Sequence, residues 1–213
     1  MILNKDKALK IADFLLQIKA VKLQPGEPFT WASGWKSPIY CDNRKTLSYP
    51  KIRTAIRQTF AEQIQEKFSN IEVIAGVATG GIAIGALVAE EMGLPFIYVR
   101  SSAKGHGLGN QIEGEYQDGQ RVVVIEDLIS TGGSSLKAVE ALRESGLNVL
   151  GLAAIFTYGF DEAEENFAQA KCEYITLSDY DNLIEQAQKE NYIIDKDIES
   201  LQMWRTSPAN WNV

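Results

Sequence analysis

The chain has 213 residues, a formal net charge of -7, two cysteines and one histidine. That length builds one domain with its own core, and the acidic balance leaves no global basic field to draw it to nucleic acid or anionic lipid. Cys41 and Cys172 lie far apart and outside any CxxC pattern, so no disulfide framework or zinc site is implied and a reducing, cytoplasmic compartment is the expectation.

The stretch Met1–Lys10 is charged and has no apolar signal core. Asn4 can cap a first helix carrying Ala8, Ile11, Ala12 and Leu15 as an apolar stripe. From Val21 to Arg44 the chain is rich in Pro, Gly and aromatics, and pieces such as Phe29–Trp31 and Ser37–Cys41 suggest short strands. Pro50, after Ser48, fits an early helix position, and Ile52, Ile56, Phe60, Ile64 and Phe68 carry that helix onward.

From Ile71 strand and helix alternate: strand Ile71–Val77, loop Ala78–Gly81, helix Ile82–Met92 stopped by Gly93, strand Pro95–Arg100, strand Arg121–Ile129, helix Ser134–Ser145 ended by Gly146, and strand Asn148–Phe156. Val73–Ala89 carries no charge and approaches the length of a membrane span, but its glycines and its change of period read better as strand, loop and helix. The C-terminal third reads as mostly helical, with a short strand near Tyr174–Leu177. Such alternation predicts an α/β fold with a central parallel sheet flanked by helices. The polar, glycine-rich Ser101–Gln120 breaks the rhythm and reads as a functional loop; it holds Lys104 and His106.

The sharpest chemical signal is Val122-Val-Val-Ile-Glu-Asp-Leu-Ile-Ser-Thr-Gly-Gly-Ser-Ser135. A β-branched run brings Glu126 and Asp127 to the carboxyl end of a strand, the edge where ligands of open α/β sheets bind. A small-residue turn leads from there into a helix. Gly132 and Gly133 let successive N–H groups converge, and the helix N-terminus adds partial positive charge, which together cradle a phosphate. The GxxxxGK[ST] pattern of a P-loop is missing. Two carboxylates beside a phosphate cradle suit a sugar phosphate, whose vicinal hydroxyls they can accept and whose Mg²⁺ they can help hold.

This segment resembles the phosphoribosyl-diphosphate motif of type I phosphoribosyltransferases. By that resemblance Glu126 and Asp127 hold ribose hydroxyls, and Leu128, Ile129, Ser130, Thr131, Gly132, Gly133 and Ser134 form the binding segment, with Ser130–Ser134 on the 5-phosphate. Phe29–Arg44 resembles the N-terminal signature of orotate phosphoribosyltransferases, and Arg100-Ser-Ser-Ala-Lys-Gly-His106 resembles that family's mobile loop. Some members carry Lys in place of Ala32, Tyr-Lys in place of Thr79-Gly80, a basic residue in place of Ser101, and an Arg within the stretch matching Thr157–Phe160, so the chain looks like another branch.

The resemblance implies transfer of the phosphoribosyl group of 5-phosphoribosyl 1-diphosphate to orotate, giving orotidine 5-phosphate and diphosphate in pyrimidine biosynthesis. It implies Asp127, Lys104 and His106 as catalytic groups, with Arg100, Lys104 and His106 on the diphosphate. Ser130, Lys36, Tyr40 and Arg44 are the orotate candidates. Mg²⁺ is expected to be held through the substrate, with Asp127 as the candidate protein ligand. The single domain 1–213 should carry a hood from about residues 1–45, joined by part of the C-terminal region. A homodimer sharing loop 101–120 between subunits is expected, without nucleic acid or membrane. The rivals are a purine-base phosphoribosyltransferase, which shares the Glu-Asp motif, and a regulator that senses phosphoribosyl diphosphate.

Overall fold

The computed structural model describes residues 1–31, 34–101 and 111–211. Helix α1 (Lys5–Gln17) begins at Asn4, whose side chain accepts from the Lys7 N–H at 2.9 Å and so satisfies one of the donors a helix start leaves open. Ala8, Ile11, Ala12 and Leu15 are all buried. Four short strands follow: β1 (Val21–Leu23), β2 (Phe29–Thr30), β3 (Lys36–Ser37) and β4 (Ile39–Cys41). They pair antiparallel as two ribbons, β1 with β4 and β2 with β3. Helix α2 (Pro50–Lys67) is capped by Tyr49, because Ser48 still belongs to the 3-10 turn Asn43–Ser48. Its stripe Ile52, Ile56, Phe60, Ile64 and Phe68 is buried.

The body is a six-stranded sheet. Its strands are β5 (Val73–Val77), β6 (Phe96–Val99), β7 (Ile112–Glu113), β8 (Arg121–Ile129), β9 (Asn148–Thr157) and β10 (Tyr174–Asp179). The spatial order is β10-β9-β8-β5-β6-β7, parallel except for the antiparallel edge strand β7. The stretch Ser101–Gln120, expected as one loop, therefore contains a strand. Ile112 is 5 % exposed and pairs with Val99, so this edge of the sheet recruits two residues from an otherwise polar segment.

Helix α3 (Gly80–Met92) starts two residues earlier than the pattern predicts, because glycines 80 and 81 belong to its first turn. Helices α4 (Gly133–Glu144), α5 (Asp161–Gln169), α6 (Tyr180–Lys189) and α7 (Asp195–Thr206) complete the chain. Successive strand residues point to opposite faces. Ile74, Val123 and Ile125 join α1, α2, α3, α6 and α7 in one core, while Val73, Ala75, Val122 and Val124 join α4 and α5 in the other. Strands buried on both faces read as continuous apolar runs, which is why Val122–Ile125 shows no alternation.

The order of strands reverses between β5 and β8: β6 continues to one side of β5, and the chain then returns to lay β8 on the other. Such a reversal opens a crevice beyond the carboxyl ends of the two strands. Helix α3 lies close against their backbones. A Cβ on Gly81 would overlap the Ile125 carbonyl oxygen, and one on Gly76 would stand 2.7 Å from the Gly81 oxygen. Because backbone cannot yield as a side chain can, Gly81→Ala is expected to destabilise the fold by about 3 kcal/mol, the upper part of the overpacking range. Urea unfolding checks this; a variant as stable as the parent would show that α3 has room to lift.

Candidate active site

The crevice holds the acid pair that the sequence singles out. Glu126 and Asp127 sit within β8, which runs on to Ile129. The Asp127 carboxylate faces a cleft of about 420 Å³ whose walls include Cys41, Arg44, Thr79, Gly80 and Ser134. Gly80 packs so closely on it that a Cβ there would run into the Asp127 carboxyl. The acid pair is thus flanked by two turns that each open a helix: Ala78–Gly80 into α3, with a cis Ala78–Thr79 peptide, and Ser130–Gly132 into α4. Exposed N–H groups at both helix starts suit anions.

The two carboxyls differ. Glu126 is 5 % exposed and turned inward: one oxygen accepts the Asp127 N–H at 3.0 Å and the other accepts the Ser135 hydroxyl at 3.1 Å. Burial, with the Asp127 charge beside it, pushes its pKa up to about 9. Glu126 is therefore neutral at pH 7, while Asp127 is half-buried and open to the cleft. Gly132 takes φ +82° and is buried against Phe167, whose ring a Cβ would meet at 2.8 Å. The Thr131 carbonyl accepts from Asn166 Nδ2 at 2.9 Å, which fixes the outer side of the turn.

Ser130 and Thr131 are half-buried, and Gly133 and Ser134 exposed. Leu128 reaches the cleft, whereas the Ile129 side chain is wholly in the core, leaving its backbone for any ligand contact. Arg44 borders the acid pair, its Nε on Asp42 at 2.7 Å, and this contact holds the Asp42 carboxyl below its usual range. Lys36 stands on the β2–β3 ribbon, where its ammonium donates to the Thr30 hydroxyl at 2.9 Å. Tyr40 is 40 % exposed, its ring 5.6 Å from Phe29. Arg100 ends β6 and reaches Glu113 at 3.3 Å. Lys104 and His106 lie outside the described residues. Among the described residues no cluster of His, Cys, Asp and Glu forms a metal site on its own.

Three contributors escaped sequence reasoning. Asn43, 1 % exposed, donates from Nδ2 to the Asp127 carbonyl at 2.7 Å and ties the N-terminal ribbons to the acid strand. Ser135 holds Glu126. Tyr158, buried and within 5.3–5.8 Å of the rings of Trp31, Phe156, Phe160 and Trp204, closes the side toward the C-terminal helices. Asn43 lies in the Phe29–Arg44 stretch, Tyr158 in Thr157–Phe160 and Ser135 at the end of the acid motif, but no sequence signal gave any of the three its own role.

The fold, with a phosphate turn and an acid pair at its switch point, defines a sugar-phosphate transferase. The phosphoribosyl transferase domain model matches residues 45–188, and the chain belongs to that family, in its orotate phosphoribosyltransferase branch. It is 59 % identical to the orotate phosphoribosyltransferase of Porphyromonas gingivalis over 95 % of this chain and 97 % of that one. It is 56 % identical to that of Listeria monocytogenes serotype 4b over 95 % and 97 %. Among solved structures it is similar to the orotate phosphoribosyltransferase of Aeropyrum pernix, with a TM-score of 0.75 and 28 % identity over 86 % of this chain and 99 % of that one. Leishmania donovani UMP synthase matches at 0.77 and 30 %, over 92 % of this chain and 42 % of that one. The predicted fold class and enzyme class are both borne out.

The state of Glu126 has a consequence for stability. Its pKa is about 9 folded against about 4.3 in an unfolded chain, so between those values the folded state binds more proton. The contribution is whole below about pH 4.3 and is lost as pH rises through 9. Glu126→Gln keeps the neutral shape without the titration. Its stability relative to the parent is expected to rise steadily from about pH 5 to pH 9, as measured by urea unfolding at several pH values. Parallel pH curves would show that Glu126 is already ionised.

Proposed function

We propose that this enzyme joins N1 of orotate to C1 of the phosphoribosyl group of 5-phosphoribosyl 1-diphosphate, forming orotidine 5-phosphate and releasing diphosphate. The observation that carries this reading is the placement of Asp127 between two anion-binding turns. With the 5-phosphate on Ser130–Ser134 and the diphosphate toward Thr79–Gly80, the ribose spans the acid pair and C1 lies in the cleft. Asp127 accepts ribose hydroxyls, while Glu126, turned inward, braces the turn through Ser135. The N1 anion of orotate is the nucleophile and needs no strong base. The C1–O bond to diphosphate breaks as C1–N1 forms, and positioning with electrostatic stabilisation supplies the rate.

Mg²⁺ brought in with the substrate would supply positive charge against the diphosphate, and the half-buried Asp127 carboxylate, an oxygen ligand open to the cleft, would help hold it. Arg100, Lys104 and His106 shield the diphosphate and exclude water. The ribbons β1–β4, with the C-terminal turn Pro208–Asn210 packed on β3, are the hood that covers orotate, with Tyr40 beside its ring. A cytoplasmic enzyme of pyrimidine synthesis is the setting.

Loss of orotate absorbance on adding phosphoribosyl diphosphate and Mg²⁺ tests the reaction. Turnover is expected with orotate and not with hypoxanthine or guanine; comparable rates with a purine would move the enzyme to the other branch. Asp127→Asn is expected to lower kcat/KM on the order of a hundredfold by removing charge opposite the developing cation. Unchanged kinetics at saturating Mg²⁺ would reject that role.

We also propose a homodimer in which the loop 101–120 serves the partner's site. The Arg100 N–H donates to the Gln111 carbonyl at 2.9 Å, and Gln111 Nε2 donates back to the Arg100 carbonyl at 2.9 Å. The intervening residues leave and return at one point, and by chain length they can reach out about 15 Å. Lys104→Ala with His106→Ala in one chain and Asp127→Asn in another, refolded together, pair at random so that about half the dimers are mixed. One site of each mixed dimer is then whole, and about a quarter of all sites should regain activity. A mixture of confirmed mixed dimers no more active than its parents would place the loop over its own subunit.

A further inference from the structure

A cavity of about 920 Å³ adjoins the phosphate turn, between Thr131, Trp35 of the hood, Gly159 beyond β9 and the faces of α6 and α7. It adjoins the turn on the β9 side: the Tyr158 N–H donates to the Ile129 carbonyl at 3.3 Å, which sets Gly159 alongside the start of the turn. Among the described residues that line it, Arg205 is the one cation. Its four acids are Asp161, Glu162, Asp181 and Glu185. Asp181 is paired with Arg205 at 2.7 Å and Glu185 with Lys5 at 2.9 Å, while Asp161 and Glu162 are exposed at the start of α5.

The guanidinium is held in place from the last turn of α7. Nη1 bonds Asp181, and Nη2 donates to the Gly159 carbonyl at 3.2 Å. Gly159, at φ +66°, lies directly beneath it: a Cβ there would be in van der Waals contact with Nη2 at 3.4 Å. Two bonds do not exhaust the donors of a guanidinium fork, which leaves N–H groups for a planar carboxylate. The hood cations are turned to other partners, Lys36 to the Thr30 hydroxyl and Arg44 to Asp42 beside the acid pair.

We infer that Arg205 is a specificity-determining residue: from the C-terminal helix it reads the carboxylate of orotate, in the cavity between Thr131 and Trp35. This rests on the orotate reaction proposed above. Orotate differs from uracil by that carboxylate alone, so the cation facing it governs the choice between them. The residue pattern explains why a helix distant in sequence belongs to this site. With a glycine at 159, the strand end itself brings no charge, and the charge arrives across it from α7.

Orotate and uracil kinetics of the parent, Arg205→Gln and Arg205→Lys decide the matter, with the KM for phosphoribosyl diphosphate measured alongside. In Arg205→Gln, kcat/KM for orotate is expected to fall about ten- to hundredfold, the range of one lost charge-assisted hydrogen bond. The value for uracil and the KM for phosphoribosyl diphosphate should stay within about twofold. A role limited to holding α7 would lower both bases together and overturn the inference, as would unchanged orotate kinetics. Should Arg205→Gln fail to fold, Arg205→Lys keeps the charge but not the fork, and a several-fold weaker orotate KM is expected. An orotate KM equal to the parent's in Arg205→Lys overturns the inference. A parent that ignores orotate, or turns over uracil as readily as orotate, refutes the reaction instead of the residue.

Discussion

The Glu126 carboxyl joins the central strand β8 to the helix α4 that follows the turn, with one oxygen on the Asp127 N–H and the other on the Ser135 hydroxyl. Between these anchors the chain must pass through Ser130–Gly132 in a tight curve, and Gly132 alone supplies the positive φ, against Phe167. A buried polar group is costly when unpaired and rigidifying when its partners are fixed. Being neutral, Glu126 avoids the larger cost of a buried charge. The turn therefore has its shape before any phosphate arrives, and little ordering cost falls on substrate binding.

The same economy governs how the hood is hung. The ribbons are too short to stand alone, so their position depends on bonds to the body. Asn43 fixes one side by its bond to the Asp127 carbonyl. Trp31 fixes the other, its ring packed 5.3 Å from Tyr158 and 5.6 Å from Trp204 and its Nε1–H donated to the Ile39 carbonyl at 3.1 Å. Trp204 belongs to α7, so the last helix of the chain supports the first ribbons, and the C-terminal turn Pro208–Asn210 packs on β3. Hood geometry is thereby linked to the C-terminus across nearly the whole sequence.

How much could be read beforehand follows from this division. The strands β5, β8 and β9 and the helices after them were legible because each is long, apolar and punctuated by glycine. The acid pair and phosphate turn were legible because their order along the chain is itself the chemistry. Edge strand β7 was not, since two residues in a polar stretch carry no period. Nor was the inequality of Glu126 and Asp127: adjacent on a strand, they point to opposite sides, but which side is buried depends on α4 and Ser135. Asn43, Tyr158 and Arg205 are ordinary residues in sequence, and only tertiary contact brings them to the crevice.

An enzyme at net charge -7 that handles a polyanionic substrate works against its own mean field. At the ionic strength of a cell, charges more than about 8 Å apart are largely screened, so the mean field counts for less than the groups lining the crevice. Those include Arg44 and the starts of two helices, whose backbone N–H groups attract anions without adding formal charge. The acids near the site are in turn paired, neutral or solvent-exposed: Asp42 on Arg44, Asp181 on Arg205, Glu126 protonated, Asp161 and Glu162 in water. Asp127 is the carboxylate left facing the cleft, where it would oppose a positive charge developing on a bound sugar.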